Sequence, residues 1–263
     1  MNKLKIIVLL TIVSLATVAF APFEGYRTVR NESFVKGERI EYRVHYGIIN
    51  AAEARVEVSR SLVSVNNRPC YRVNVSGKTV GAFDMITRVR DQWRSYIDTS
   101  AILPHMFYRN IQENNFRKEE TVIFNHGANT AYDKDLQKTY KVPNNIHDII
   151  SGYFFLRTLD FGRIGVGEVV EVPTFFDGEV YKLRIRYGGK SEIKTKFGRI
   201  KVLKLTPFIP DNKLFKGENP MTLWVSDDDN KIPVKAEVEL VIGSLDMDIK
   251  GYRGLRTEPN WIK

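Results

Sequence analysis

Residues 37–47, GERIEYRVHYG, decide the fold class. Ile40, Tyr42, Val44 and Tyr46 alternate with Arg39, Glu41, Arg43 and His45. An apolar side chain at every second position is the period of a strand with one face buried and the other in water. The next stretch, EARVEVS, repeats it, with Ala54, Val56 and Val58 set between Glu53, Arg55 and Glu57. The connection GIINAA is short enough for an antiparallel hairpin.

The same rhythm runs outward along the chain. VNNRP (65–69) reads as a turn and CYRVNVSG as the strand after it. Further strands are expected over about 89–98, 105–112, 117–125 and 129–134, with a short helix at 82–88. Asp177-Gly178 is a strong two-residue hairpin signal between two strand-like runs. Later turns are expected at Phe197-Gly198 and from Asp227 to Lys231.

One segment breaks the pattern. In NNIHDIISGYFFLRTLD, Ile146, Ile149, Ile150, Tyr153 and Phe154 recur at helical spacing. Asn145 is the expected cap, which puts Asp148 in the first turn, where the helix dipole favours an acid. Phe155 and Leu156 widen the apolar face beyond one stripe, so this helix is expected to be buried on more than one side. A long antiparallel sheet has an apolar face to cover, and a large one curls. The fold class that follows is mainly β: a large curved antiparallel sheet forming a full or partial β-barrel around one main helix.

The chain opens with MNKLKIIVLLTIVSLATVAFA. A short basic head, an apolar run from Ile6 to Phe20 and small residues at its end read as a secretory signal peptide over 1–21. Residues 22–33 read as a flexible lead-in, 34–253 as a single β-rich domain and 254–263 as a polar tail. The expected location is the periplasm, with a membrane tether if the signal stays uncleaved. Net charge is +9, spread along alternating strand positions such as Lys182, Arg184 and Arg186. That describes a solvated sheet face, or one that meets anionic headgroups. No nucleic-acid partner is expected of an exported chain. Cys70 is the only cysteine, so no internal disulfide forms, and a buried, inert thiol at a strand start is expected.

Four pieces resemble the family of bacterial exported proteins grouped as DUF3108. They are FVKGERIEYRVHYGIINAAEARVEV, RVRDQWRSYID, DIISGYFFLRTLD with Gly162, Gly165 and Gly167 after it, and NKIPVKAEVELVIGSLDMDIKGY. The likeness runs from about Phe34 to Gly251 and implies no catalytic residue. LWVSDDDNKIPVKAEVE, with Trp224, Asp227, Asp229 and Pro233, is also similar in shape to a strand–turn–strand of the LolA/LolB-type lipoprotein carriers. Those are unclosed barrels with a lipid-accommodating concavity, and the likeness implies architecture alone.

No motif names a reaction. His45, His105, His126 and His147 are scattered without metal-ligand spacing. Ser151-Gly152 lacks the first glycine of a nucleophile elbow, and Asp227-Asp228-Asp229-Asn230 departs from a calcium loop at the positions that follow. Neither an enzyme nor a cofactor is expected. The candidate lining of an apolar cavity is Trp93, Tyr96, Phe107, Ile150, Tyr153, Phe154 and Trp224, because rings with a polar tip suit the mouth of a lipid site. Two readings stand: a periplasmic protein that binds or carries a lipid or other apolar ligand in a half-barrel, and a non-enzymatic envelope assembly factor that binds another protein. Peripheral membrane contact fits either.

Overall fold

The computed structural model describes residues 25–209 and 219–262; the signal-like segment 1–21 lies outside them. The strands are β1 (Arg39–Tyr46), β2 (Ile49–Val58), β3 (Val63–Val65), β4 (Arg68–Thr79), β5 (Arg90–Asp98), β6 (Pro104–Glu113), β7 (Phe116–Asn125), β8 (Thr130–Asp133), β9 (Lys138–Lys141), β10 (Val169–Phe176), β11 (Glu179–Thr195), β12 (Gly198–Pro207), β13 (Met221–Ser226), β14 (Pro233–Glu239) and β15 (Ser244–Arg253). Helix α1 spans Gly81–Ile86 and helix α2 spans Ile149–Arg157. All fifteen strands belong to one sheet, ordered β10 to β15, then β1, β2, β4 and on to β9, with β3 set against β4. Neighbours along this order are successive in the chain, β3 aside, and antiparallel. The exception to that succession is β15 against β1, which joins the two halves of the meander.

The sheet curls without closing, because β9 and β10 do not pair. Side chains and one loop cross that seam. The rings of Tyr140 and Phe175 lie 5.2 Å apart. Asp177, in the turn after β10, accepts from Arg109 of β6 at 2.6 Å and also from Lys118 of β7. His147 pairs in parallel with Thr174, donating its N–H to the Pro173 carbonyl and accepting from the Phe175 N–H. The connection between β9 and β10 therefore covers the edge of β10, an edge that would otherwise offer unpaired backbone groups.

The turn chemistry follows the residues. Asp177 and Gly178 both hold positive φ, at 54° and 78°, as the commonest two-residue hairpin demands. Asn66 and Asn67 do the same between β3 and β4. After β13, the Asp228 carboxylate accepts from Ser226 Oγ and from the N–H groups of Asn230 and Lys231. That acid is the keystone of a turn.

Helix α2 starts later than its periodicity suggests. Asn145 sits at a φ of 56° outside the helix, and Asp148 is the cap. Asp148 Oδ1 accepts from the Ser151 N–H, and Ser151 Oγ accepts from the Asp148 N–H. This reciprocal capping box, together with the bond from His147 to β10, moves the start past Ile146 and leaves Ile149 40% exposed. The lead-in, described from residue 25 onward, has no regular structure and is held to the barrel by hydrogen bonds. Val29 donates to Ser100 O, Arg27 Nε to Ala101 O at 3.0 Å, and Phe34 is fully buried. The tail folds back too: Trp261 packs with Phe197 and Tyr252, and Ile262 exchanges backbone bonds with Arg199.

Cys70 is buried, and burial pushes its thiol up to about 12. Native protein should resist a maleimide for the time in which the urea-unfolded chain is fully labelled; equal labelling rates would show the site to be open.

Candidate functional site

The inner face of the sheet and helix α2 share one interior, built as three apolar clusters. The largest gathers Phe34, Val73, Ile97, Phe107, Phe124, Ile150 and Phe154 among others. A second joins Leu156, Phe161 and Tyr187 to Leu203, Leu205 and Val225. A third holds Ile40, Tyr42, Val202, Val234 and Ile249.

Five of the seven candidate residues meet in the first cluster. Trp93 stacks on Phe176 at 5.7 Å and meets Phe107 edge-on at 6.0 Å. Ile150 and Phe154 are buried against them, and Tyr153 packs at the cluster's margin. The other two lie elsewhere. Tyr96 is three residues from Trp93 on one strand, so the pleat turns it to the opposite face; Ser95 and Ile97, which flank it, are the buried ones. Trp224 packs against the third cluster, with the Lys235 ammonium 5.3 Å from its ring. Its strand neighbours Leu223 and Val225 instead line an apolar cavity.

That cavity measures about 30 Å3 and lies between the end of α2 and β11–β13, walled by Tyr153, Leu156, Phe161, Ile185, Leu205, Leu223 and Val225 among others. It can hold about one water. Sites for small organic ligands run to roughly 300–1,000 Å3. The Tyr153 hydroxyl is buried and has no hydrogen-bond partner among the described residues. A larger hollow, about 340 Å3, is of another kind: charged side chains wall most of it, among them Glu41, Glu53, Arg55, Lys78, Arg90 and Lys250.

Two buried polar networks hold α2 in place. At its C-terminal end the Arg157 guanidinium grips Glu38 with both forks, Nη1 to Oε1 at 2.6 Å and Nη2 to Oε2 at 2.9 Å. Arg157 also donates to Asn230 O and Ser33 O, and Ser33 Oγ donates back to Arg157 O. Both charged side chains are 1% exposed. The Glu38 carboxylate raises the guanidinium's pKa further although burial opposes its charge.

At the N-terminal end His147, Asp148, Ser151 and Ser95 are all fully buried. They bring a histidine, an acid and two hydroxyls together, and their bonding decides what they can do. Arg27 Nη2 lies 2.7 Å from His147 Nε2. A guanidinium only donates, so Nε2 accepts and the ring proton sits on Nδ1. Nδ1 then donates to Ser151 Oγ, 3.2 Å away, and Ser151 Oγ donates to Asp148 O. The histidine gives a proton to the serine where a general base would take one. The Asp148 carboxylate turns to Ser95 Oγ at 2.6 Å. Burial, with Arg27 and His126 nearby, holds His147 well below its ordinary pKa. The group is a helix anchor. Among the described residues, no three of His, Cys, Asp and Glu gather in a way that could hold a metal ion.

Arg27, Glu38 and Ser95 were invisible as site residues in the sequence. Arg157 alone carried a signal, a charge in the last turn of an otherwise apolar helix.

The family model for DUF3108, described as a protein of unknown function, matches residues 41–250. The chain belongs to the DUF3108 family. Among curated proteins none matches it. A β-barrel-like protein of domain DUF1849 from Brucella abortus is similar in structure, with a TM-score of 0.51 at 10% identity over 83% of this chain and 98% of that one. This likeness shows the barrel-like fold and nothing of function. A DUF1089 family protein from Pseudomonas aeruginosa gives a TM-score of 0.41 at 7% identity over 70% of this chain and 88% of that one. A protein described as a candidate lipoprotein, from Parabacteroides distasonis, gives 0.38 at 10% over 87% and 100%. Among the described residues no helix is long and apolar enough to cross a membrane.

Proposed function

We propose that this DUF3108 protein is an exported, non-enzymatic envelope component that works through its outer surface. The observation that carries the reading is the close packing of the interior among the described residues. Three apolar clusters and α2 occupy the concave side, and the apolar cavity beside Tyr153 is about 30 Å3, roughly a tenth of the smallest ordinary ligand site. The larger hollow is walled by charges, which suit water better than an apolar ligand. The bonding at His147 supports the absence of catalysis, because its proton points at the Ser151 hydroxyl. Export rests on the basic head and apolar run of residues 1–21.

Native mass spectrometry of the protein purified from envelopes without detergent tests this. A bare mass is expected, with no stoichiometric lipid. One lipid per chain would overturn the reading and favour a second one, carriage in a half-barrel. Two observations speak for that second reading: the unpaired seam between β9 and β10, and the Tyr153 hydroxyl, buried without a partner among the described residues.

A further inference from the structure

Exposed apolar side chains collect at one end of the barrel. The β1–β2, β4–β5, β6–β7 and β14–β15 connections all turn there, as the strand registers require. Ile48 is fully exposed, Met85 90% and Ile242 77%, and Ile86, Val241 and Phe116 of the same connections are exposed too.

The turns that carry these residues are tied to one another. Tyr46 Oη donates to Ile242 O at 3.0 Å, and its ring lies 6.3 Å from Phe83 of α1. Val80 N–H, just before α1, donates to Ala51 O of β2. Beyond α1, Arg88 N–H donates to Asn114 Oδ1, and Asn114 N–H donates to Arg88 O, both at 2.8 Å. The result is a set of exposed apolar tips on turns that hydrogen bonds tie together. Single exposed apolar residues are ordinary, but a contiguous set marks an interaction surface.

We propose that this rim docks on an anionic lipid surface, its tips entering the headgroup–acyl boundary. The proposal rests on the surface-acting reading above and names its partner. The tips project from separate turns, and a fluid interface moulds to each of them. Charge selects the lipid. Arg88 and Arg117 are exposed on the rim and balanced there by Glu113 and Glu239, so the attraction comes from the molecule as a whole, which carries +9, or +7 without Lys3 and Lys5 of the signal-like segment. That excess draws the molecule to an anionic membrane and repels a second copy of itself.

Flotation of the protein with phosphatidylcholine vesicles, alone or mixed with phosphatidylglycerol, tests the assignment. The comparison is with the triple variant Ile48→Ser, Met85→Ser, Ile242→Ser. All three side chains are exposed, so the variant should melt with the wild type. Wild type is expected to float with the mixed vesicles, less so in high salt. The variant should partition about tenfold more weakly or worse, since each buried apolar side chain is worth on the order of a factor of ten. Failure of wild type to bind either vesicle overturns the proposal. So does equal binding by the variant, or a wild-type dimer in light scattering that the variant loses. The two readings fail separately: an internal lipid in the mass spectrum removes the surface-acting function but leaves vesicle partitioning as its own result.

Discussion

Arg157→Met should lower unfolding stability by about 3–5 kcal/mol, because it leaves the Glu38 carboxylate buried without its counter-charge. For a domain of this size that is a fall in Tm on the order of 10 °C. Desolvation sets the sign. Two charges removed from water are tolerated only while each compensates the other, so losing one costs more than the pair contributes. Glu38→Gln should cost less. A glutamine can still accept from one arm of the fork and is neutral, although Arg157 then keeps an unpaired charge. The double change Glu38→Met, Arg157→Met should recover part of the loss but not all. Arg157 also donates to Asn230 O and Ser33 O, and those carbonyls stay buried without a donor. Urea denaturation of the four proteins checks the ranking. A double variant less stable than Arg157→Met alone would contradict it.

This pair also shows where sequence reading ends. Strand alternation is local, so Ile40 and Tyr42 announced an inward face and Arg43 an outward one from their spacing alone. Asp177-Gly178 and the paired asparagines Asn66-Asn67 declared their turns because positive φ has few tolerant residues. Glu38 and Arg157 are 119 residues apart, and nothing in either neighbourhood points to the other. Helix α2 was legible as a helix, but its first residue was not. Asn145 and Asp148 are both good caps, and the choice was made by Ser151 closing the capping box and by Thr174 on a distant strand holding His147 extended.

The candidate lining is divided between two faces of the sheet for a physical reason that was available in advance. Trp93 and Tyr96 are an odd number of residues apart on one strand and so cannot share a face. Whether the curved sheet would be hollow was not available. That depends on the summed volume of side chains from all three clusters against the curvature, and aromatic content alone is the same for a filled barrel and a lined one. The rim at Ile48, Met85 and Ile242 was likewise unreadable, since only the strand order brings those three turns to one end.

Acid should destabilise the protein between about pH 6.5 and 4, and Asp148→Asn should make that loss steeper. His126 is partly buried, and burial lowers its pKa from 6.5 to about 4; its Nε2–H donates to Pro104 O and its Nδ1 has no partner among the described residues. A base whose folded pKa is depressed lets the fold keep its full stability above the unfolded value. That stability drains as pH falls towards the folded value, because the unfolded chain takes up the proton first. At about 1.4 kcal/mol per unit, His126 alone is worth roughly 3 kcal/mol across this window. His147 is depressed for the same reason and adds to the fall. Asp148 works the other way. Burial raises its carboxyl to about 6 against the bonds from Ser95 and Ser151, so the folded state holds a proton that the unfolded chain releases above about pH 4. Its contribution declines as pH rises from about 4 to 6, and the buried Glu120, also raised by burial, acts in the same direction. In wild type the acid groups therefore mask part of the histidine slope. The Asp148→Asn amide keeps an acceptor for the Ser151 N–H and can donate to Ser95 Oγ, but cannot titrate. The variant should show the histidine slope nearly uncovered, whereas His126→Gln should flatten the wild-type curve. Urea midpoints at half-unit pH steps measure both, and identical slopes in wild type and Asp148→Asn would refute the assignment of the raised pKa to Asp148.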